Sequence, residues 1–191
     1  TKWHNRVADL ATEFLISAHN FKETEIITKS IKVLAMQALY DNDIVLKHTV
    51  KQMIRVFNSY PNTLFYKEFN PIFERIGKKL QYSVMTMLVN CITTQLLSFD
   101  RKSLGRLAEE TKVIAFMTEC PPLGEQSNVT YLKALLALLN VNTVEPNKAI
   151  IALFSTQNPM TEWIYSCDPD QIPLEDGLLY NNIIMKLESL K

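Results

Sequence analysis

Residues 24–57, TEIITKSIKVLAMQALYDNDIVLKHTVKQMIRVF, decide how the rest of the chain reads. In the first half, Ile27, Ile31, Leu34, Ala35, Ala38 and Leu39 recur at steps of three and four, which sets them along one side of a helix. Thr24 offers a hydroxyl to cap that helix, and Asp41-Asn42 close it. A further helix runs from Asp43 through Val50, Met53, Ile54 and Phe57, until the segment from Asn58 to Asn62, with Pro61, breaks it. Two amphipathic rods joined by a short turn define the pattern.

Working outward, the same period recurs on both sides. Upstream of it, Val7, Leu10, Phe14, Leu15 and Ala18 predict one buried side of a helix that opens near Trp3 and ends at Asn20. Downstream, a short helix from Thr63 is interrupted at Asn70-Pro71, and Pro71 starts another that reaches Leu80. An uncharged helix, Tyr82 to Phe99, precedes one from Arg101 to Glu119 behind a cap at Asp100; Cys120-Pro121-Pro122-Leu123-Gly124 ends it. Thr130 to Leu139 is apolar on nearly every side, the mark of a helix surrounded by protein. Pro146 and Pro159 suit first helical turns, opening Pro146 to Phe154 and Pro159 to Tyr165. The last helix, Leu174 to Leu190, sets Leu179, Ile183, Leu187 and Leu190 on one side, with Ile184 and Met185 beside them. Its apolar arc is wider than one neighbour covers, and burial within the chain is the expected outcome. No stretch reads as a strand, so the expected fold is all-α.

Taken as pairs, the helices start near Lys2, Asp43, Gln81 and Ser127, at intervals of about 41, 38 and 46 residues. That spacing resembles the unit of HEAT and armadillo repeats, at the level of the class, with an irregular helical bundle as the alternative. Low glycine content, without the glycine turn of armadillo helices, favours HEAT-like pairs. The resemblance implies antiparallel pairs stacked as a short solenoid that serves as a protein-binding scaffold.

Composition agrees with a folded chain. The 191 residues are 47% hydrophobic with only 4 Gly, which excludes disordered and collagen-like chains. A chain of this length buries roughly 70% of the surface it exposes when unfolded, enough for a single domain over residues 1–191. It opens at Thr1 without a charged-then-apolar leader and is expected to be part of a longer protein. Cys91, Cys120 and Cys167 are far apart and odd in number, which points to a reducing compartment, nuclear or cytoplasmic. Gln81 to Phe99 nearly matches a bilayer in length, but Gln81, Ser83, Asn90, Thr93, Thr94 and Gln95 argue against contact with lipid. No membrane partner is expected. Asn128-Val129-Thr130 is formally a glycosylation acceptor, yet Ser127 and Asn128 stand where helix caps belong.

No motif names a reaction. His4, His19 and His48 have no metal-ligand spacing, and Gly77, Gly105, Gly124 and Gly177 are isolated, so neither a zinc site nor a phosphate-cradling loop is written in the chain. No GxSxG occurs, and Cys91 lies inside the uncharged helix, where desolvation keeps a thiol protonated. Asp168, Asp170, Glu175 and Asp176 lack the ligand order of a calcium loop and read as a solvated acidic segment. The expectation is a protein that is not an enzyme and carries no metal or cofactor.

Charge is the more specific signal. Residues 1–106 hold 15 Lys+Arg against 9 Asp+Glu, net +6, and residues 107–191 hold 5 against 11, net −6. Lys47, Lys51 and Arg55 recur every four residues as a stripe, with Lys29 and Lys32 as a similar ridge on the preceding helix. Arg75, Lys78, Lys79, Arg101, Lys102 and Arg106 form a second basic patch in sequence. The expected partner is a protein helix or acidic segment held by this ridge and an inter-helix groove, in a complex that the chain joins as a subunit. Nucleic acid ranks second, because Phe57, Phe69 and Phe73 follow core spacing and do not interleave the basic positions as stacking platforms. Head-to-tail self-association between the basic and acidic halves is the third outcome.

Overall fold

In the computed structural model, the described residues are 1–18, 23–59, 63–76, 82–110, 112–119, 128–139, 156–172 and 174–190. They form helices α1 (Lys2–Ser17), α2 (Thr24–Ala38), α3 (Asp43–Ser59), α4 (Thr63–Glu68), α5 (Asn70–Ile76) and α6 (Tyr82–Ser98). Helices α7 (Arg101–Glu110), α8 (Val113–Thr118), α9 (Asn128–Leu139) and α10 (Pro159–Ser166) follow, then a 3-10 turn at Pro169–Gln171 and α11 (Leu174–Glu188). No strand occurs among the described residues, and the fold is all-α.

Helix ends follow local chemistry. Asn42 starts α3: its Oδ1 accepts from the backbone N–H groups of Ile44 and Val45, both at 3.1 Å. Asp100 starts α7 by accepting from the Ser103 N–H at 2.7 Å. Asn158 and Thr161 exchange two bonds of 3.0 Å in a capping box, and Pro159 occupies the first turn of α10.

Two expected boundaries change. Glu23, with no side-chain cap bond, precedes α2, and Thr24 is already helical. The span 101–119 divides into α7 and α8, with Lys112 at the junction. The reason is phase: Leu104 and Leu107 set the buried side of α7, but one turn on comes Thr111. The buried Val113, Ile114, Phe116 and Met117 lie roughly 130° further round, so one straight helix cannot bury both sets. Readings at Asn20, Ser127 and 77–80, the 120–124 loop and the 146–154 helix lie outside the described residues.

The chain divides into two compact units, Thr1–Cys91 and Ile92–Lys191. In the first, α1, α2 and α3 pack on one another, and α2 also packs on α4. Leu15, Ile31, Leu34, Leu46, Val50 and Met53 close this core. Beside it sits an aromatic cluster: Phe57 is stacked on Tyr66 with centroids 4.8 Å apart, edge-on to Phe69 at 5.6 Å and tilted to Phe65 at 6.2 Å. Tyr66 in turn stacks on Phe73 at 6.4 Å. Burial holds the Tyr66 phenol well above its ordinary pKa, with the neighbouring Cys91 adding to the effect.

In the second unit α9 packs on α11, and α8 on α7 and α10. As its composition requires, α9 buries Tyr131, Leu132, Ala134, Leu135, Leu138 and Leu139 and exposes Lys133. The Tyr131 ring meets Trp163 edge-on at 5.5 Å, and its hydroxyl donates to the Met117 carbonyl at 3.2 Å. On α11 the buried side is Tyr180, Ile183 and Leu187, while Leu178 and Met185 face outward.

Candidate interaction surfaces

The predicted basic ridge lies on two helices that use different neighbours. On α3, Lys51 and Arg55 are exposed and Lys47 is half-buried. Arg55 reaches α1: its guanidinium donates to Glu13 at 2.8 Å and to Gln52 at 2.8 Å. On α2, Lys29 pairs with Glu25 one turn back at 2.6 Å, and Lys32 reaches Glu68 of α4 at 3.8 Å. Arg55 therefore borders the α1/α3 junction and Lys32 the α2/α4 junction. Of the second patch, Arg101, Lys102 and Arg106 are exposed on α7. The Arg75 side chain and residues Lys78 and Lys79 lie outside what the structure describes.

Between α1 and α3 runs a polar seam with no counterpart in the sequence reading. His48 Nε2 meets Asp9 Oδ1 at 2.7 Å, Gln52 lies 3.5 Å from the same nitrogen, and Arg55 and Glu13 continue the chain of contacts. Spacing within one helix could not reveal it, because Asp9 and His48 are 39 residues apart. At the start of α1, His4 bonds Gln37 at 2.8 Å and stacks on Tyr40 at 4.0 Å, which shows α1 and α2 to be antiparallel.

Other candidates resolve into structural roles. Cys91 donates to Asn58 Oδ1 at 3.2 Å, and burial pushes its thiol pKa up to about 12. Cys167 is half-buried, and its thiol is likewise raised by desolvation. In the acidic segment Asp168 accepts from the Asp170 N–H at 3.0 Å and so caps the 3-10 turn. Among the described residues no three His, Cys, Asp or Glu side chains gather closely enough to hold a metal ion. No described helix is long and apolar enough to cross a membrane. An open concavity of about 360 Å³ on α9 and α11 is lined by Leu136, Asn182, Met185, Lys186 and Ser189.

The largest departure from expectation is on α1 and α2. Leu10 and Phe14, assigned by period to the core, are exposed, as are Trp3 at 73% and Met36 at 64%. The side of α1 that is buried carries Ala8, Ala11, Thr12 and Leu15. Small residues there let α2 and α3 approach closely and leave a second apolar side facing outward.

Comparison of the chain with protein-family models, curated proteins and solved structures gives no match.

Proposed function

We propose that this chain is a non-catalytic scaffold of the helical-repeat kind, HEAT/armadillo-like in its stacking. It holds a partner's helix or acidic segment within a larger nuclear or cytoplasmic complex. The observation that carries the reading is the neighbour pattern of the first unit. Each of α1 and α2 packs on the other and on the helix two places further along, α1 on α3 and α2 on α4. Stacked pairs have this pattern, and stacking extends a surface along which other chains bind.

The cations supply the second element. Lys29 and Lys32 are mostly exposed; Lys29 pairs with the exposed Glu25 and Lys32 with the half-buried Glu68, in contacts each contributing about 0–1 kcal/mol. Exchanging such a carboxylate for one on a partner costs little, so these positions suit recognition of acidic chains.

Two charge reversals test this: Lys29→Glu with Lys32→Glu on α2, and Lys51→Glu on α3. Lys51→Glu changes stability by less than about 0.5 kcal/mol, because the side chain is exposed, and the α2 pair costs at most about 2 kcal/mol through its two lost ion contacts. Proteins captured from a cell extract by the wild-type chain are identified and titrated directly against all three forms. Weakening of several-fold in either variant supports the reading; equal affinity in all three removes the basic ridge from it. A labelled oligonucleotide that binds, with affinity falling steeply as salt rises, would assign the cations to a phosphate backbone instead.

A further inference from the structure

The outward sides of α1 and α2 meet in one apolar surface. On α1, Trp3, Val7, Leu10 and Phe14 follow one another at steps of four, three and four, a single line along the helix roughly 110° round from its buried side. Asp9 and Glu13 mark the flank of α1 that meets α3, and His4 marks the flank that meets α2. By this geometry the line lies on the α2 flank. On α2, Ile26, Val33 and Met36, continued by Tyr40 in the turn, lie beside Gln37, the residue that bonds His4. The two lines run side by side over the α1/α2 seam, turned away from α3. Lys29 falls within the α2 line, and its ion pair with Glu25 draws the ammonium toward the outer edge.

We infer that this surface joins two copies of the chain in an antiparallel, two-fold dimer. Area supports it: the exposed parts of these side chains sum to roughly 700 Å², near the ~800 Å² that each partner contributes to a stable interface and above the patches usual on monomers. Charge selects the partner. Arg6 lies at the end of the surface where α1 begins, and Glu23 and Glu25 at the end where α2 begins. Asp41, next to Tyr40, is already engaged within the chain. A two-fold axis across the helices sets the basic end of one copy against the acidic end of the other, so the surface is complementary to itself in charge as well as in hydrophobicity. This pairing differs from head-to-tail association of the basic and acidic halves, and it shares only Lys29 with the proposed partner-binding ridge.

Sedimentation equilibrium of the 191-residue chain between about 1 and 200 µM tests the dimer. The wild-type chain is expected to reach the mass of two copies. Leu10→Glu and Met36→Glu, each present twice in the interface, are expected to raise the dissociation constant at least about tenfold while leaving the circular dichroism unchanged. Leu178→Glu, an exposed apolar position on α11, is expected to leave the dimer intact. In a Trp163→Phe background, Trp3 emission is expected to shift to the blue as concentration rises. A wild-type chain that stays monomeric across the range overturns the inference. So does a dimer that persists in both glutamate variants, or one that Leu178→Glu dissociates. A monomer that instead binds an amphipathic peptide on α1 would give the surface to a different chain and overturn it as well.

Discussion

Replacing Phe57 tests whether the aromatic cluster holds the first unit together. Its side chain is fully buried and touches the rings of Phe65, Tyr66 and Phe69. Phe57→Ala removes the buried area and leaves a cavity, at a cost of about 3–5 kcal/mol. Three ring contacts, each contributing up to about 1 kcal/mol, place the value toward the upper end. Phe57→Leu keeps most of the volume and loses mainly the ring geometry, so about 1–2 kcal/mol is expected. Phe14→Ala is the control: the residue is as apolar in sequence but lies on the outward side of α1, and its removal costs less than about 1 kcal/mol. Urea unfolding followed by far-ultraviolet circular dichroism, at a protein concentration below that of dimerisation so that Phe14 lies outside any interface, measures all three. With a slope of about 1–3 kcal/mol per molar, Phe57→Ala lowers the midpoint by more than about 1 M. If Phe57→Ala and Phe14→Ala shift the midpoint equally, the assignment of core and surface in this unit is wrong.

Three further outcomes follow from individual groups. The Ser103 N–H bond at the start of α7 lowers the Asp100 pKa below its ordinary value, so the cap is intact above that ordinary value and is lost as pH falls through the lowered one. An NMR titration should place the Asp100 carboxyl below 3.8, and Asp100→Asn should keep the cap while removing this pH dependence; a carboxyl titrating at or above 3.8 contradicts the cap. Cys91, with its pKa raised to about 12, should resist alkylation at neutral and mildly alkaline pH and react at once in denaturant, read by mass spectrometry. The same shift makes this group's contribution to stability fall as pH rises from about 9 to 12, and Cys91→Ala should flatten that loss. Tyr131→Phe deletes the bond to the buried Met117 carbonyl and should cost about 1 kcal/mol; an unchanged thermal melt would show that the bond contributes nothing.

Helix placement was legible because it depends on information local to each segment. Steps of three and four fixed α1 to α3, and prolines marked the starts of α5 and α10, since ring geometry constrains only nearby backbone. Where two local signals disagreed, the reading failed. From Arg101 to Glu110 most residues favour helix, with Gly105 the exception, and no proline breaks the run before Glu119, which suggests continuity; but the buried side changes direction beyond Thr111, and burial prevailed over propensity. Thr24 carries the right side chain for a cap, yet the preceding residue already occupies that place.

Which side of a helix reaches the core is a tertiary property, and there the sequence was ambiguous in a definite way. α1 has two apolar lines, one of larger residues through Trp3, Val7, Leu10 and Phe14, the other begun by the small Ala8 and Ala11 and closed by Leu15. Hydrophobicity alone favours burying the large line. Packing favours the small one, because alanines admit two neighbours, α2 and α3, at close range, where tryptophan and phenylalanine would hold them apart. The Asp9–His48 seam has the same origin: once Ala8 and Ala11 face inward, positions 9 and 13 must lie along α3, and their carboxylates meet His48 and Arg55. A basic stripe that looks free in one helix thus acquires a partner at Arg55, and an apolar line assigned to the core becomes available for another molecule. Alanine positions on a helix with larger apolar residues elsewhere are therefore the sequence signal that would have exposed this surface.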